Sequence, residues 1–581
     1  MFNIKIGEAE KITGLTSKSI RLYESKKLLN VTRSGNSYRE YTDENIELLK
    51  KIKLLRELGI AIADIKLWCD GVIDINVLIK KRRRELDELY KQNSSQKELC
   101  NAILNNELKM SNVETSFSDP DLKLTADTDS KSDPLSLGID IGTTSISAQL
   151  VDIKSGRSVH TYTFDHNAML TLPNCSDAYA EDAELLLNCA LNLIYSVTDV
   201  YRNVKSIGIT GQMHGIVCLD KNNGVLSPLY TWENKFGTRK ENGCTICENI
   251  REITGESVPT GYGFVTLYAL KKLGLLPAGT SKVCTIADLA AAELCKNKQI
   301  IVHPTNAAAL GFYDICSADF KCDKLEKLGI GNDFVPRVGS DYEVIGYYGN
   351  IPVSAAIGDN QAGFYGSINS ERQMLLNVGT SGQISILTDK SRSSVGEIRP
   401  YFDGKYLLSG SILCGGKAYA ALAEFYRSVA SMLGLDLTKN EVYSLMNTQF
   451  DEPVSNPFEI SVNFSGTREN DSIRGYIKNI GLDNFNAKSL TQGIVNGIIG
   501  ELYAMYKKID HEAHVSADQA VVSGNAMRKN AALRNKAADL FGFEMLVPIH
   551  NEEAAYGAAL YSAVSSGIIT RDERCKLIRY E

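Results

Sequence analysis

Two short stretches constrain this 581-residue chain more than anything else in it: LGIDIGTTSISAQLVD (Leu137–Asp152) and LLNVGTSGQISIL (Leu375–Leu387). Each is an apolar, strand-like run broken by Gly-Thr-Thr or Gly-Thr-Ser and then resumed by a second alternating run. The pattern predicts a β-hairpin whose tip presents backbone N–H groups and hydroxyls, donors that suit phosphate oxygens. The first copy carries Asp140 just before its turn, and the second has Asn377 at that place. Two such hairpins, one keeping a carboxylate, predict a duplicated domain that closes on a nucleotide.

The chain is too long for one core, and three or so domains are expected. Hydrophobic content of 44% and charged content of 23% are ordinary for a soluble globular protein. No apolar run approaches the roughly 20 residues of a membrane span. The first residues, MFNIKIGEAEK, lack the apolar core of a signal peptide. The 13 Cys are dispersed, without the density of a disulfide scaffold. A cytoplasmic location without membrane contact is therefore expected. Cys244 and Cys247 form a CxxC with no second pair, which reads as two partly buried thiols. The formal net charge of −7 hides an asymmetry: residues 1–70 hold 13 Lys/Arg against 10 Asp/Glu. A basic small module ahead of an acidic large one points to nucleic acid at the N-terminus.

Composition separates the chain into zones. Residues 1–70 are dense in short helical patterns. Residues 71–110 read as a helical segment suited to dimerisation, and its KKRRR cluster (Lys80–Arg84) reads as a solvated face. Residues 111–134 are polar and nearly free of aromatics, the composition of a flexible linker. From Leu135 on, strand-like runs alternate with amphipathic helical patterns, which predicts α/β architecture.

Within the first zone, Ile6–Thr13 reads as a helix and Gly14-Leu15 as a turn. Thr16 or Ser17 then caps a second helix, SKSIRLYESKKLL. This is a helix-turn-helix pattern, its second helix expected to expose Ser17, Lys18, Arg21 and Tyr23. RSGNSYREYT (Arg33–Thr42) reads as a hairpin wing carrying Arg33 and Arg39, and two more helices follow. The order GEAEKITGLTSKSIRLYE, then YREYTDENIELL, then LRELGIAIADI resembles the MerR family of winged-helix regulators. That resemblance implies binding to double-stranded DNA as a homodimer, with Ser17, Lys18, Arg21, Tyr23 and Arg39 as contacts. The alternative is a winged helix that binds protein.

Phosphoryl transfer demands held phosphates, a metal ion and a base aimed at the acceptor hydroxyl. Gly142, Thr143 and Thr144 in the first hairpin, with Gly379, Thr380 and Ser381 in the second, are the expected phosphate contacts. Asp140 suits Mg²⁺, directly or through water. AAIGDNQAGFYGS (Ala355–Ser367) places Asp359 among small residues on an expected turn, where it can accept a sugar hydroxyl's proton. Gln212 and His214, two apart on an expected strand, share a face suited to sugar hydroxyls, with Met213 packing beneath. Gly524 lets backbone approach a nucleotide after an apolar strand, and Asn525 offers an amide to ribose or phosphate.

IDIGTT, TGQMHG, GDNQAG, NVGTSG, VSGNAMRKNAALRNKAADLFG and EEAAYGAAL, in this order, resemble the FGGY carbohydrate kinases. Their fold is the actin-like ATPase fold of two ribonuclease-H-like domains, here expected over residues 135–368 and 369–581. The resemblance implies ATP and Mg²⁺ as cofactors and a ketose as substrate. It also implies sugar contacts from Gln212, Met213, His214, Trp232, Asn234 and Asp359, and adenosine contacts from Gly524, Asn525 and Arg528. GEIRPYFDGKYLLSGSILCGGKAYAALA (Gly396–Ala423) and FSGTREN (Phe464–Asn470) are most similar to the sedoheptulose kinase branch. One departure stands out. Related kinases follow the Trp with an acid or amide two positions on and an Arg two further. Here Asn234 can fill the polar place, but Phe236 stands where the Arg belongs, and Arg239 lies three residues too far. Two expectations follow: a working kinase fused to a regulator, or a regulator that senses sugar through an inactive kinase fold.

Overall fold

The computed structural model describes residues 4–29, 31–33, 39–58, 60, 62–72, 74, 75, 77, 79, 133–172, 175–241, 243–466, 472–513 and 517–581. The expected dimerisation helix beyond residue 79, its basic cluster, the linker up to residue 132 and the end of FSGTREN lie outside the described residues.

At the N-terminus, α1 (Ile6–Thr13) ends where Gly14 adopts φ 66°, the left-handed stop that glycine supplies without strain. Helix α2 (Ser17–Ser25) is capped by Thr16, whose Oγ1 accepts the Ser19 N–H at 3.2 Å. Strands β1 (Thr32–Arg33) and β2 (Arg39–Glu40) pair antiparallel as a wing. Helix α3 (Asp43–Glu57) opens on a capping box of Thr42 and Asn45, and α4 (Ile62–Cys69) follows. Lys18 and Arg21 are exposed and Ser17 is half-buried. Tyr23 departs from expectation: it is only 6% exposed. Three residues after fully buried Ile20, it lies on the inner stripe of α2 and packs the module's core. The wing's side chains, Arg39 included, lie outside the described residues.

The large unit is built on two sheets of matching topology. In the first, β3 (Leu135–Ile141), β4 (Ser145–Asp152), β5 (Ser158–Asp165), β6 (Val204–Gly211), β7 (Val344–Tyr348) and β8 (Ile351–Ser354) lie in the order β7-β8-β6-β3-β4-β5. A short β9 (Ile357–Gly358) also pairs with β6. In the second, β10 (Gln373–Val378), β11 (Gly382–Thr388), β12 (Glu397–Pro400), β13 (Tyr406–Ile412), β14 (Gln519–Ser523) and β15 (Met545–Leu546) run β12-β13-β11-β10-β14-β15. The series β5-β4-β3-β6-β8 and β13-β11-β10-β14-β15 share one pairing sequence: antiparallel, antiparallel, parallel, parallel. The duplication expected from the two Gly-Thr hairpins is thus a duplication of whole sheets.

Six helices position the site: α5 (Pro304–Leu310), α6 (Asp359–Ser367), α7 (Gly416–Met432), α8 (Ala487–Ala513), α9 (Asn525–Lys529) and α10 (Glu553–Ser565). The small residues of α10 have a clear use. It follows the second sheet in the chain but packs on β3 and β6 of the first. A Cβ on Gly138 would lie 1.9 Å from the Ala555 carbonyl oxygen, and one on Gly208 would lie 2.0 Å from that of Ala558. Buried hydroxyls of Ser136, Ser206 and Ser562 join the three elements, with Ser136 Oγ also donating to the Ala559 carbonyl at 2.7 Å.

Candidate active site

Register brings the first set of residues together. Asp140 of β3 lies opposite Thr210 of β6, which lies opposite Ile357 of β9. Three parallel strands therefore end side by side, and the groups just beyond them converge at their C-terminal edge, the usual ligand-binding edge of such sheets. Asp359 follows directly from β9. It is the first residue of α6, with Gly358 as N-cap, rather than the expected turn residue. Its Oδ1 accepts from the Asn360 N–H at 2.6 Å and from Asn360 Nδ2 at 2.9 Å. Burial raises the Asp359 carboxyl above the ordinary carboxylate range, with the Asn360 bonds and the Arg399 charge opposing that shift.

Asp140 is pushed up to about 8, first by burial and then by the negative charges of Asp359 and Glu552. Its Oδ1 is buried without a partner among the described residues. An orphaned carboxylate oxygen among further carboxylates fits a hard divalent cation such as Mg²⁺. Glu552 carries no signal in the sequence that would single it out. It is the N-cap of α10, at φ 54°, and accepts from Ser147 Oγ at 2.8 Å and Thr163 Oγ1 at 3.1 Å.

Both Gly-Thr tips are open. Thr144, Thr380 and Ser381 are exposed, and Gly142, Thr143 and Gly379 are half-buried. His166 braces the first tip. Its Nδ1 accepts from the Ala168 N–H at 3.0 Å, which leaves Nε2 to donate to the Gly142 carbonyl at 3.1 Å. Gly415 and Gly416 brace the second: their N–H groups reach the Thr380 and Gly379 carbonyls at 3.0 and 2.8 Å. Asn377 of β10 lies opposite Ser523 of β14, so Gly524 follows beside that tip. At φ 83°, a Cβ there would lie 2.5 Å from Asn377 Oδ1, so glycine is required. Asn525 is exposed next to it. Arg528 is not presented as expected. It is held by Glu553 Oε1 and by the carbonyls of Pro548 and His550.

Residues 135–366 match the model of the FGGY family of carbohydrate kinases, N-terminal domain, and residues 374–566 match that of its C-terminal domain. The chain belongs to the FGGY family of carbohydrate kinases. Residues 4–72 match the MerR HTH family regulatory protein, so this FGGY kinase carries a helix-turn-helix module. Mouse sedoheptulokinase is 24% identical over 474 residues, 74% of this chain and 97% of that protein. Xylulose kinase of Staphylococcus xylosus is 23% identical over 459 residues, covering 74% and 90%. A ligand-bound xylulose kinase structure from Lactobacillus acidophilus aligns with TM-score 0.65 at 18% identity, over 77% of this chain and 93% of that one. Plasmodium falciparum glycerol kinase with ADP aligns with TM-score 0.63 at 20% identity, over the same shares. These neighbours share the fold, and the two sheets are the ribonuclease-H-like domains of the actin-like ATPase fold.

In this FGGY kinase the segment after β6 is a turn, not the expected strand. Gln212 and Met213 are buried, and His214 sits at φ 70°. Gln212 Nε2 donates to Glu181 Oε2 at 2.7 Å, which fixes the amide's orientation and leaves Oε1 without a partner among the described residues. His214 donates Nδ1–H to the Ala309 carbonyl at 3.0 Å and packs against the tilted ring of Tyr262, centroids 4.3 Å apart. Met213 packs under the start of α6, its Sδ 3.7 Å from Asn360 Nδ2. Trp232 is 50% exposed, and its Nε1 donates to Thr143 Oγ1 at 3.2 Å, joining its loop to the first Gly-Thr tip. Asn234 is not brought to this group. Fully buried, it donates to the Ala178 carbonyl at 2.7 Å and accepts from the Phe236 N–H at 2.9 Å. Arg239 is likewise engaged, its Nε donating to Asp177 Oδ2 at 2.7 Å.

Glu181 yields a prediction. Burial pushes its carboxyl up to about 7, against the opposing Gln212 bond. A carboxyl raised in the folded state stabilises most when protonated, below its unfolded value near 4.5, and that contribution is lost as pH rises through 7. Glu181→Gln is expected to stabilise the protein at pH 8 by up to about 3 kcal/mol and by almost nothing at pH 4. Thermal melts at both pH values check this; equal shifts would contradict it.

Proposed function

We propose that residues 135–581 transfer the γ-phosphoryl group of ATP to a hydroxyl of a ketose, sedoheptulose-like or xylulose-like. The observation carrying this reading is the pairing of Asp359 and Asp140, two raised carboxyls at adjoining strand ends, with Asp140 just before the open first Gly-Thr tip. Asp359 takes the proton from the sugar hydroxyl as its oxygen attacks the γ-phosphorus, and the bond to ADP breaks. Gly142, Thr143 and Thr144 with Gly379, Thr380 and Ser381 hold the phosphates, and Gly524 and Asn525 adjoin the nucleoside. Asp140 would hold Mg²⁺, which neutralises phosphate charge when bound. Gln212, Met213, His214 and Trp232 shape the sugar side. The domain boundaries in this reading are 1–70, 71–110, 111–134, 135–368 and 369–581.

The N-terminal module would act as a homodimer on double-stranded DNA, through Ser17, Lys18, Arg21 and Arg39, in the cytoplasm. Among the described residues no helix is long and apolar enough to cross a membrane. Fusion of the two parts in one chain supports a regulator tuned by the sugar it phosphorylates.

ADP release should be measured with sedoheptulose, xylulose and ribulose as acceptors. Turnover of at least one, dependent on Mg²⁺, is expected. Tight sugar binding without turnover would favour the second reading, a sugar sensor with an inactive kinase fold. The engagement of Asn234 by the Ala178 carbonyl and of Arg239 by Asp177 favours that alternative. For the regulatory half, affinity for operator DNA that does not change with sugar and ATP would overturn the coupling.

A further inference from the structure

The loop after Trp232 brings no guanidinium to the sugar side, because Arg239 is tied to Asp177. A guanidinium reaches the same region from the second sheet. Arg399 lies on β12 and is only 8% exposed. Its Nη2 donates to Glu397 Oε2 at 2.8 Å. Buried Nε and Nη1 have no acceptor among the described residues. A buried cation with unused donors is costly unless a ligand completes it.

Its surroundings belong to the sugar and base machinery. Gln361, two residues after Asp359, donates Nε2 to the carbonyl of Pro400, the neighbour of Arg399, at 3.0 Å. Tyr262 donates its hydroxyl to Glu397 Oε1 at 3.0 Å and packs its ring against His214. His214 bonds Ala309 of α5, and α5 packs on β12. The charge of Arg399 also acts on Asp359.

We propose that Arg399 is the sugar-binding cation of this chain, held by Glu397 and donating through Nε and Nη1 to carbonyl or hydroxyl oxygens of the bound ketose. This deepens the ketose-kinase reading and rests on it. Because β12 belongs to the second sheet while Gln212, His214 and Asp359 come from the first, the sugar is gripped from both halves. The preferred substrate is then a chain with oxygens on carbons next to the phosphorylated one, and an analogue lacking those oxygens loses the contact.

The test uses the full-length protein and three variants: Arg399→Lys, Arg399→Met and the double Arg399→Met/Glu397→Gln. The double variant leaves no unpaired carboxylate, so it separates lost binding from lost folding. KM for the best ketose is expected to rise roughly 10- to 100-fold in Arg399→Met and the double, with KM for ATP within twofold. Arg399→Lys, which keeps the charge with a different donor geometry, is expected between them and wild type. A sugar KM within twofold of wild type in the folded double variant, or in Arg399→Lys if the double does not fold, would overturn the inference while leaving the kinase reading intact. Equal rises in both KM values would also overturn it. A wild-type protein that turns over no ketose would remove the underlying reading and this inference with it.

Discussion

Asp359→Asn is expected to lower kcat by 10²- to 10⁴-fold while sugar binding persists. Asn360 occupies Oδ1 of Asp359 with two donors, so Oδ2 is the oxygen left for the substrate's proton. An amide keeps the shape and the Asn360 contacts but has no basic oxygen. The pH profile should show the same group. Because burial raises Asp359, kcat/KM in the wild type should fall on acidification at a pH above the ordinary carboxylate range. Stability should move the other way. A carboxyl raised in the fold loses its stabilising contribution as pH rises through its folded value. At neutral pH the neutral Asn is therefore expected to melt later than the ionised Asp, and loss of the Asp359 charge should ease ionisation of Asp140. Slower chemistry with a higher Tm marks a functional carboxylate; slower chemistry with a lower Tm would mean that Asp359 is a folding residue.

What is legible in the sequence is what is local. The Gly-Thr hairpins, the Gly14 stop, the Thr16 cap and the glycine after β14 each follow from a few consecutive residues, and the structure forms all four. Sequence and structure part where a side chain's role depends on what lies across from it. Tyr23 belongs to a mixed polar helix, and only packing against the rest of the module decides which face turns inward. Gln212 and His214 follow a strand without a break in the apolar pattern, but the Met213–Gly215 hydrogen bond and the positive φ of His214 end it. Asn234 and Arg528 carry side chains suited to ligands and are held by nearby backbone carbonyls instead. Glu181, His166 and Glu552 escape a sequence reading because they bond residues 24 to 405 positions away, and Arg399 does so because the group its charge acts on, Asp359, belongs to the other sheet's edge. A single acid or base in an unremarkable segment gives no local signal of that kind.

Gly557→Ala should do the largest structural damage of any one-methyl change in the kinase unit. Helix α10 is held between α6, which begins with Asp359, and the strands β3 and β6, the first of which carries Asp140. A Cβ on Gly557 would lie 1.8 Å from the Ala362 carbonyl oxygen and 2.9 Å from the Gly366 nitrogen. From the opposite side, a Cβ on Gly366 would lie 2.4 Å from the Glu553 carbonyl oxygen. The obstructing atoms are backbone, so no rotamer change can make room. The helices must separate, or α6 must slide. Overpacking of this kind costs about 3 kcal/mol or more, and Tm should drop by several degrees. A slide of α6 also carries Asp359 with it, and a misplacement of about 1 Å can cost roughly 100-fold in rate. Gly500→Ala is the matched comparison. Gly500 lies inside α8, and an added methyl would meet no atom within 4 Å, so alanine there should be neutral or stabilise by about 0.5–1 kcal/mol. If the two variants melt together and turn over alike, then α10 is not what fixes the distance between the base and the Asp140 strand, and that distance must be set by the β6–β9 pairing alone.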